Sequence, residues 1–244
     1  MSVFSVVDPW PLVAAIIAII CAGAIQGSTG FGFNMLAAPI LVVIDPVFVP
    51  APMLLMALLV SAGGMVREFS AVDRIGLRFA LGGRLISSAL AVVCLGLLDE
   101  ETFAMVFAVL VLIAVGLSIA GLKLQASPRN LFAAGSVSGF MGTLTSIGAP
   151  PMAMVYQLST GPVMRATLSA YFVFGAAISL VALAITGHIT KTDILLALAL
   201  TPIAFIGFFF SNWLKKFVDR GRVGKVILIT STASAILLVF KYLY

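Results

Sequence analysis

The chain has 244 residues, of which 62% are hydrophobic and 9% charged, with a net charge of +5 and a mean hydropathy of +1.22. So few charges exclude a soluble domain, whose surface would lack polar cover, and leave room for about eight membrane segments joined by short loops. A nucleic-acid partner is excluded as well, because the cations sit in short loops between apolar runs, where they set membrane topology.

The N-terminus, Met-Ser-Val-Phe-Ser-Val-Val-Asp-Pro-Trp, carries no Lys or Arg. No signal-peptide n-region is therefore expected, and the first apolar segment should stay in the chain. From Pro9 to Ile44 there is no formal charge, a run too long for one span of about 20 residues. Inside it lies Gln26 to Pro39, where Gly27, Gly30, Gly32 and Pro39 forbid a continuous helix. A helix broken within a bilayer is costly unless protein or a water-filled cavity receives its freed backbone groups, so the break is itself a site hypothesis. The expected order is a hairpin over 10–45, then spans over 46–66, 79–98 and 103–122. Arg67, Glu68, Asp73, Arg74 and Arg78 mark the first loop, Asp99, Glu100 and Glu101 an acidic one, and Lys123 and Arg129 the next. A second uncharged run, Asn130 to Met164, holds another Gly/Pro cluster at Gly139 to Pro151. It predicts a hairpin over 131–164, followed by spans over 166–187, 194–212 and 223–243. Lys215, Lys216, Arg220, Arg222 and Lys225 form the most basic loop.

The excess of Lys and Arg places loops 67–78, 123–129 and 213–225 in the cytoplasm and the acidic loop outside. Three single crossings between Arg129 and Lys215 would put those ends on opposite faces. The conflict disappears if 131–164 enters and leaves by the cytoplasmic face. A shift of 112 positions supports a repeat: Gly23, Gly27, Gly30, Pro39, Pro50 and Gly63 fall on Gly135, Gly139, Gly142, Pro151, Pro162 and Gly175. The chain then divides into repeats 1–125 and 126–244, each a broken hairpin and three spans. Three crossings per half invert the second copy, which puts the N-terminus outside. The expected class is an all-α polytopic membrane protein of two inverted repeats.

In such transporters broken helices meet near the midplane and aim their N-termini, with unpaired N–H groups, at the substrate. The polar residues at the breaks are Gln26, Ser28, Thr29 and Asn34, facing Thr143, Thr145 and Ser146. All are neutral hydrogen-bonding groups, and no carboxylate lies inside an apolar run; a small oxyanion fits such a site better than a cation. Gly27, Gly30, Gly32, Pro39, Gly139, Gly142, Gly148, Pro150 and Pro151 are the expected backbone-shaping positions. The competing reading is that Gly, Ser and Thr serve only close helix packing. Arg84 either snorkels to the inner interface or supplies charge on the anion path. His188 is read as a solvated loop residue, Cys21 and Cys94 as small membrane residues, and Tyr156 and Tyr171 as packed or cavity-lining. No metal or cofactor is expected. The expected partners are a small anion and the lipid bilayer, with homo-oligomerisation open. A membrane-embedded enzyme lacks a nucleophile with a base, and an assembly subunit is the remaining rival.

The stretches Gly27–Phe33 with Pro39, and Ser146–Pro151, duplicated in two similar halves, resemble the sulfite exporter TauE/SafE family of membrane transporters. The resemblance spans nearly the whole chain. It implies transport of sulfite, thiosulfate, small organosulfonates such as taurine, isethionate or sulfoacetate, or other small organic anions, across the cell (inner) membrane. Coupling to protons, to the anion gradient alone, or none, as in a channel-like facilitator, all stay open. Cysteines placed at 129 and 165 should react with an impermeant thiol reagent from the same side of the membrane; opposite sides would rule out the second hairpin.

Overall fold

The computed structural model describes residues 9–218, 228–229, 231–237 and 240, and the regular structure among them is helical, with no strand. The first uncharged run folds as α1 (Pro9–Thr29) and α2 (Phe33–Ile44). Between them Gly30 and Gly32 adopt φ of 83° and 98°, a left-handed backbone that residues with a Cβ rarely take. The second run folds as α6 (Pro128–Thr145) and α7 (Ala149–Tyr156), with Ser146 at φ 65° ending α6. Each is a long limb and a short return: at about 1.5 Å per residue, α1 and α6 measure roughly 31 and 27 Å, α2 and α7 roughly 18 and 12 Å.

The other helices are α3 (Ala51–Arg67), α4 (Arg74–Leu95), α5 (Glu100–Ala120), α8 (Gly161–Ile185) and α9 (Lys191–Val218). Of the described helices, α1, α4, α5, α8 and α9 are long and apolar enough to cross a membrane. Several start earlier than the apolar runs suggest, because the stop signals are caps. Asp73 accepts from the Gly76 N–H and opens α4, and Asp99 accepts from Thr102 N–H and opens α5. Polar first turns are thus helical outside the apolar stretch. Of the expected span at 223–243, the described residues 228–229, 231–237 and 240 are helical; the rest of it, most of the basic loop at Lys215–Lys225 and the N-terminal segment before Pro9 lie outside the described residues.

The two ends of the bundle are chemically distinct. At one end Asp73 accepts from Tyr156 Oη at 3.1 Å and donates its N–H to Thr167 Oγ1, and Leu124 N–H donates to the Met154 carbonyl. There the guanidinium of Arg165 grips Glu68, with Nη2 2.8 Å from Oε1. Since α3 runs from Ala51 to Arg67, Pro50 lies at the opposite end, where Pro46, Pro50, Asp99 and His188 line a shared cavity.

Packing interlocks the chain. α1 lies along α9, α6 along α4, and α3 against α8. The first two approaches are so close that backbone meets backbone: a Cβ on Gly207 would collide with the Ile20 carbonyl, and one on Gly135 with the Ala80 carbonyl. On α4 the buried positions Ala80, Gly83, Arg84, Ser87, Ser88 and Ala91 form one helical stripe, while Leu85, Ile86, Leu90 and Val93 are exposed. Among the described residues nothing covers that second face, as suits a surface turned to lipid. Replacing Gly207 by Ala should lower stability by about 1–3 kcal/mol through overpacking, read as a lower thermal midpoint in detergent; an unchanged midpoint contradicts this account of the α1–α9 crossing.

Candidate functional site

The two breaks meet. Asn34, in the first turn of α2, donates its Nδ2 hydrogen to the Ser146 carbonyl at 2.8 Å. These residues are counterparts under the 112-position shift. Around this bond each break is laced by its own side chains. Gln26 donates through Nε2 to the Gly30 carbonyl and to Ser61 Oγ, both at 3.0 Å, and accepts at Oε1 from the Phe33 N–H at 3.2 Å. One amide thus satisfies groups on both sides of the first break. The Thr29 hydroxyl accepts from the Phe31 N–H and lies 2.6 Å from the Phe31 carbonyl, while Ser28 bonds back to Ile25. At the second break Thr145 Oγ1 donates to the Met141 carbonyl and accepts from the Ile147 N–H, and Ser146 Oγ donates to the Pro50 carbonyl at 3.0 Å.

Between the breaks lies a cavity of about 20 Å³, lined by Gln26, Gly32, Asn34, Ser146 and Gly148, with Ala57 and Ser61 of α3 and Phe172 of α8. That is the room one water needs, and a sulfite-sized ion would require the breaks to part. Asn34 Oδ1 is buried here without a partner. Of the sequence-predicted residues, the structure brings Gln26, Asn34 and Ser146 to this cavity. Ser28, Thr29, Thr143 and Thr145 turn instead to backbone or to other helices. Gly27, Gly139 and Gly142 shape helix contacts: a Cβ on Gly27 would sit 2.5 Å from Ser211 Oγ, and one on Gly142 would lie 3.2 Å from Arg84 Nη2. Pro39 lies inside α2. Ser61, Ala57 and Phe172 carry no sequence signal that separates them from other membrane residues.

The two return helices are not equivalent as anion binders. α2 begins with Phe33, Asn34 and Met35, which all have N–H groups, whereas α7 begins Ala149-Pro150-Pro151. Proline has no N–H to offer. Electropositive character at the breaks therefore belongs chiefly to α2.

Arg84 does not snorkel. α4 starts five residues before the apolar span, at Arg74, so Arg84 falls mid-helix on the buried stripe and is 2% exposed. Its Nη1 lies 3.4 Å from Tyr171 Oη, its Nη2 donates to Ser179 Oγ at 3.1 Å, and its Nε has no partner. Its Cζ lies 5.3 Å from the Tyr171 ring centroid. Thr143 Oγ1 bonds Ser179 Oγ at 2.8 Å and Ser88 Oγ at 2.9 Å, so a chain of hydroxyls joins this guanidinium to the last turn of α6.

Beyond the second break, Pro46, Val49, Pro50, Asp99 and His188 help line a cavity of about 360 Å³. The Thr102 backbone N–H holds the Asp99 carboxyl below its usual value, so this mouth carries a negative charge. The Pro50 carbonyl held by Ser146 is the contact between this cavity and the second break.

The family model described as Sulfite exporter TauE/SafE matches residues 15–238 of the 244. The chain belongs to this family. It is a multi-pass membrane protein of a family of sulfur-anion transporters. No curated protein and no solved structure matches the chain.

In this TauE/SafE chain the Gln26 amide carries most of the first break. Gln26→Leu leaves the Phe33 N–H unpaired, at about 1–3 kcal/mol for that buried group, and the Gly30 carbonyl with Ser169 Oγ as its remaining side-chain donor. Thermal unfolding in detergent should show that loss; a Gln26→Leu chain as stable as the parent contradicts this role.

Proposed function

We propose that the chain is a secondary transporter of small sulfur oxyanions, such as sulfite, thiosulfate or small organosulfonates, which bind between the two helix breaks and cross by alternating access. The observation that carries this reading is the Asn34–Ser146 bond beside the unpartnered Oδ1 of Asn34 in the intervening cavity. The amide faces the cavity with an acceptor, which suits a protonated oxyanion such as hydrogen sulfite, while the Asn34 and Met35 N–H groups of the first turn of α2 suit its charge.

Inverted halves are supported by the way α3 and α8 cross the site. α3 meets the second break at its start, through Pro50, and the first at its end, where Arg67 Nη2 donates to the Gly27 carbonyl. α8 meets the first break early, through Arg165 and Ser169 beside Gly30, and reaches Thr143 near the second through Ser179. Two posts running in opposite senses past two breaks are what a two-fold exchange of the halves requires. On this reading the Arg67 end is cytoplasmic, the Asp99 end and the N-terminus are outside, and the membrane is the cell's inner one. The Glu68–Arg165 pair then closes the inner end beside Gly30. A cavity with room for about one water favours a carrier over an open, channel-like facilitator.

Purified chain alone in liposomes should carry sulfite, which also excludes a subunit that works only within an assembly. Asn34→Ala should slow that flux roughly tenfold, the effect of one buried hydrogen bond, and Thr145→Ala should slow it by loosening the second break. Flux and binding unchanged in both variants contradict the site. Binding compared across sulfite, thiosulfate, taurine, isethionate and carboxylate analogues identifies the substrate.

A further inference from the structure

We infer that the Arg84 guanidinium is the charge partner of the transported anion, at a station between α4, α6 and α8 beside the second break; this rests on the anion-transport reading above. Arg84 heads the largest fully buried side chains of the described residues, at 2% exposure. A guanidinium cannot shed its proton, so burial leaves a full positive charge in the apolar interior of a membrane bundle. Such charges are ordinarily paired with a carboxylate. Among the described residues the one ion pair joins Arg165 to Glu68, and it lies at the bundle's end. Asp73 is held there too, by Tyr156 and the Gly76 N–H, and Asp193 is held by Thr190. Among the described residues no carboxylate bonds to Arg84, and its Nε has no partner.

The groups that do surround it are neutral hydrogen-bonding groups of the kind that seat an oxyanion. Tyr171 and Ser179 touch the guanidinium through hydroxyls, and Thr143 adjoins Ser179. These hydroxyls already have acceptors for their own protons, Tyr171 Oη donating to the Gly135 carbonyl and Ser179 Oγ pairing with Thr143 Oγ1, so the donor left open to an anion is Arg84 Nε. The walls nearest the guanidinium nitrogens are glycines: a Cβ on Gly175 would lie 2.5 Å from Nε, and one on Gly142 3.2 Å from Nη2. No side chain therefore stands between the charge and α6 or α8 on those sides. The Thr143 hydroxyl links the seat to the last turn of α6, three residues before Ser146, so an anion leaving the cavity between the breaks has a charged station next to it. The planar fork pairs with two oxygens on one centre, which selects sulfite, sulfonate or carboxylate over a halide.

The test is sulfite binding to purified protein in detergent, with chloride as competitor. Parent protein should bind sulfite; Arg84→Gln should bind it at least ~30-fold more weakly, the usual consequence of removing one partner of a buried charge pair. Arg84→Lys, which keeps the charge and loses the fork, should bind with reduced preference for sulfite over chloride, a ratio that a merely structural role would leave alone. An Arg84→Gln protein that elutes and melts like the parent and binds sulfite with unchanged affinity overturns the inference. Should Arg84→Gln fail to fold, Arg84→Lys decides: unchanged affinity and unchanged preference overturn it equally. A parent protein that binds none of these anions overturns the transport reading itself, which is a distinct result.

Discussion

A peptide group freed by a helix break inside a bilayer has no water to turn to, and must be satisfied by the protein. Much of this molecule's polar chemistry answers that requirement. The Gln26 amide spans the first break, Thr29 and Thr145 tie their own turns, and Asn34 reaches across to the Ser146 carbonyl of the other hairpin. Side chains already committed in this way are not free to hold a ligand. What remains is sparse and specific: one amide oxygen, the Asn34 and Met35 N–H groups in the first turn of α2, and a buried guanidinium.

The same economy explains how the ends differ. Described carboxylates are held near helix ends, by a capping N–H, a hydroxyl or Arg165, and the interior keeps a cation without an anion. An anion is thereby attractive to the interior, while the Asp99 mouth is not itself an anion trap. One end is tied by Glu68 and Arg165 across α3 and α8; the other opens into a cavity about 360 Å³ in volume whose contact with the second break is the Pro50 carbonyl.

The all-helical class and the two breaks were legible in the sequence because Gly and Pro act locally: Gly30 and Gly32 take a backbone that few other residues tolerate. Family membership was legible for the same reason, through the duplicated Gly/Pro motifs. Side-chain direction was not. Ser28, Thr29, Thr143 and Thr145 flank the breaks in sequence, yet their hydroxyls turn to backbone or to neighbouring helices. Of the two roles open to Arg84, snorkelling fails because α4 begins at Arg74, before the apolar run, and carries the residue to mid-helix. The pattern around it, small residues at 80, 83, 87, 88 and 91, already marked a packed face. Ser61 and Phe172 reach the cavity only through the crossing of α3 and α8, which no local pattern records.

On the proposed alternating-access reading the two halves part at one end and then at the other, and the Glu68–Arg165 pair between the end of α3 and the start of α8 is where that motion can be stopped. In a chain lacking Cys21 and Cys94, a cysteine pair at 68 and 165 joined by a short, cleavable thiol crosslinker should halt sulfite flux in liposomes. Cleaving the link should restore it. Undiminished sulfite flux through the fully crosslinked protein would contradict the account.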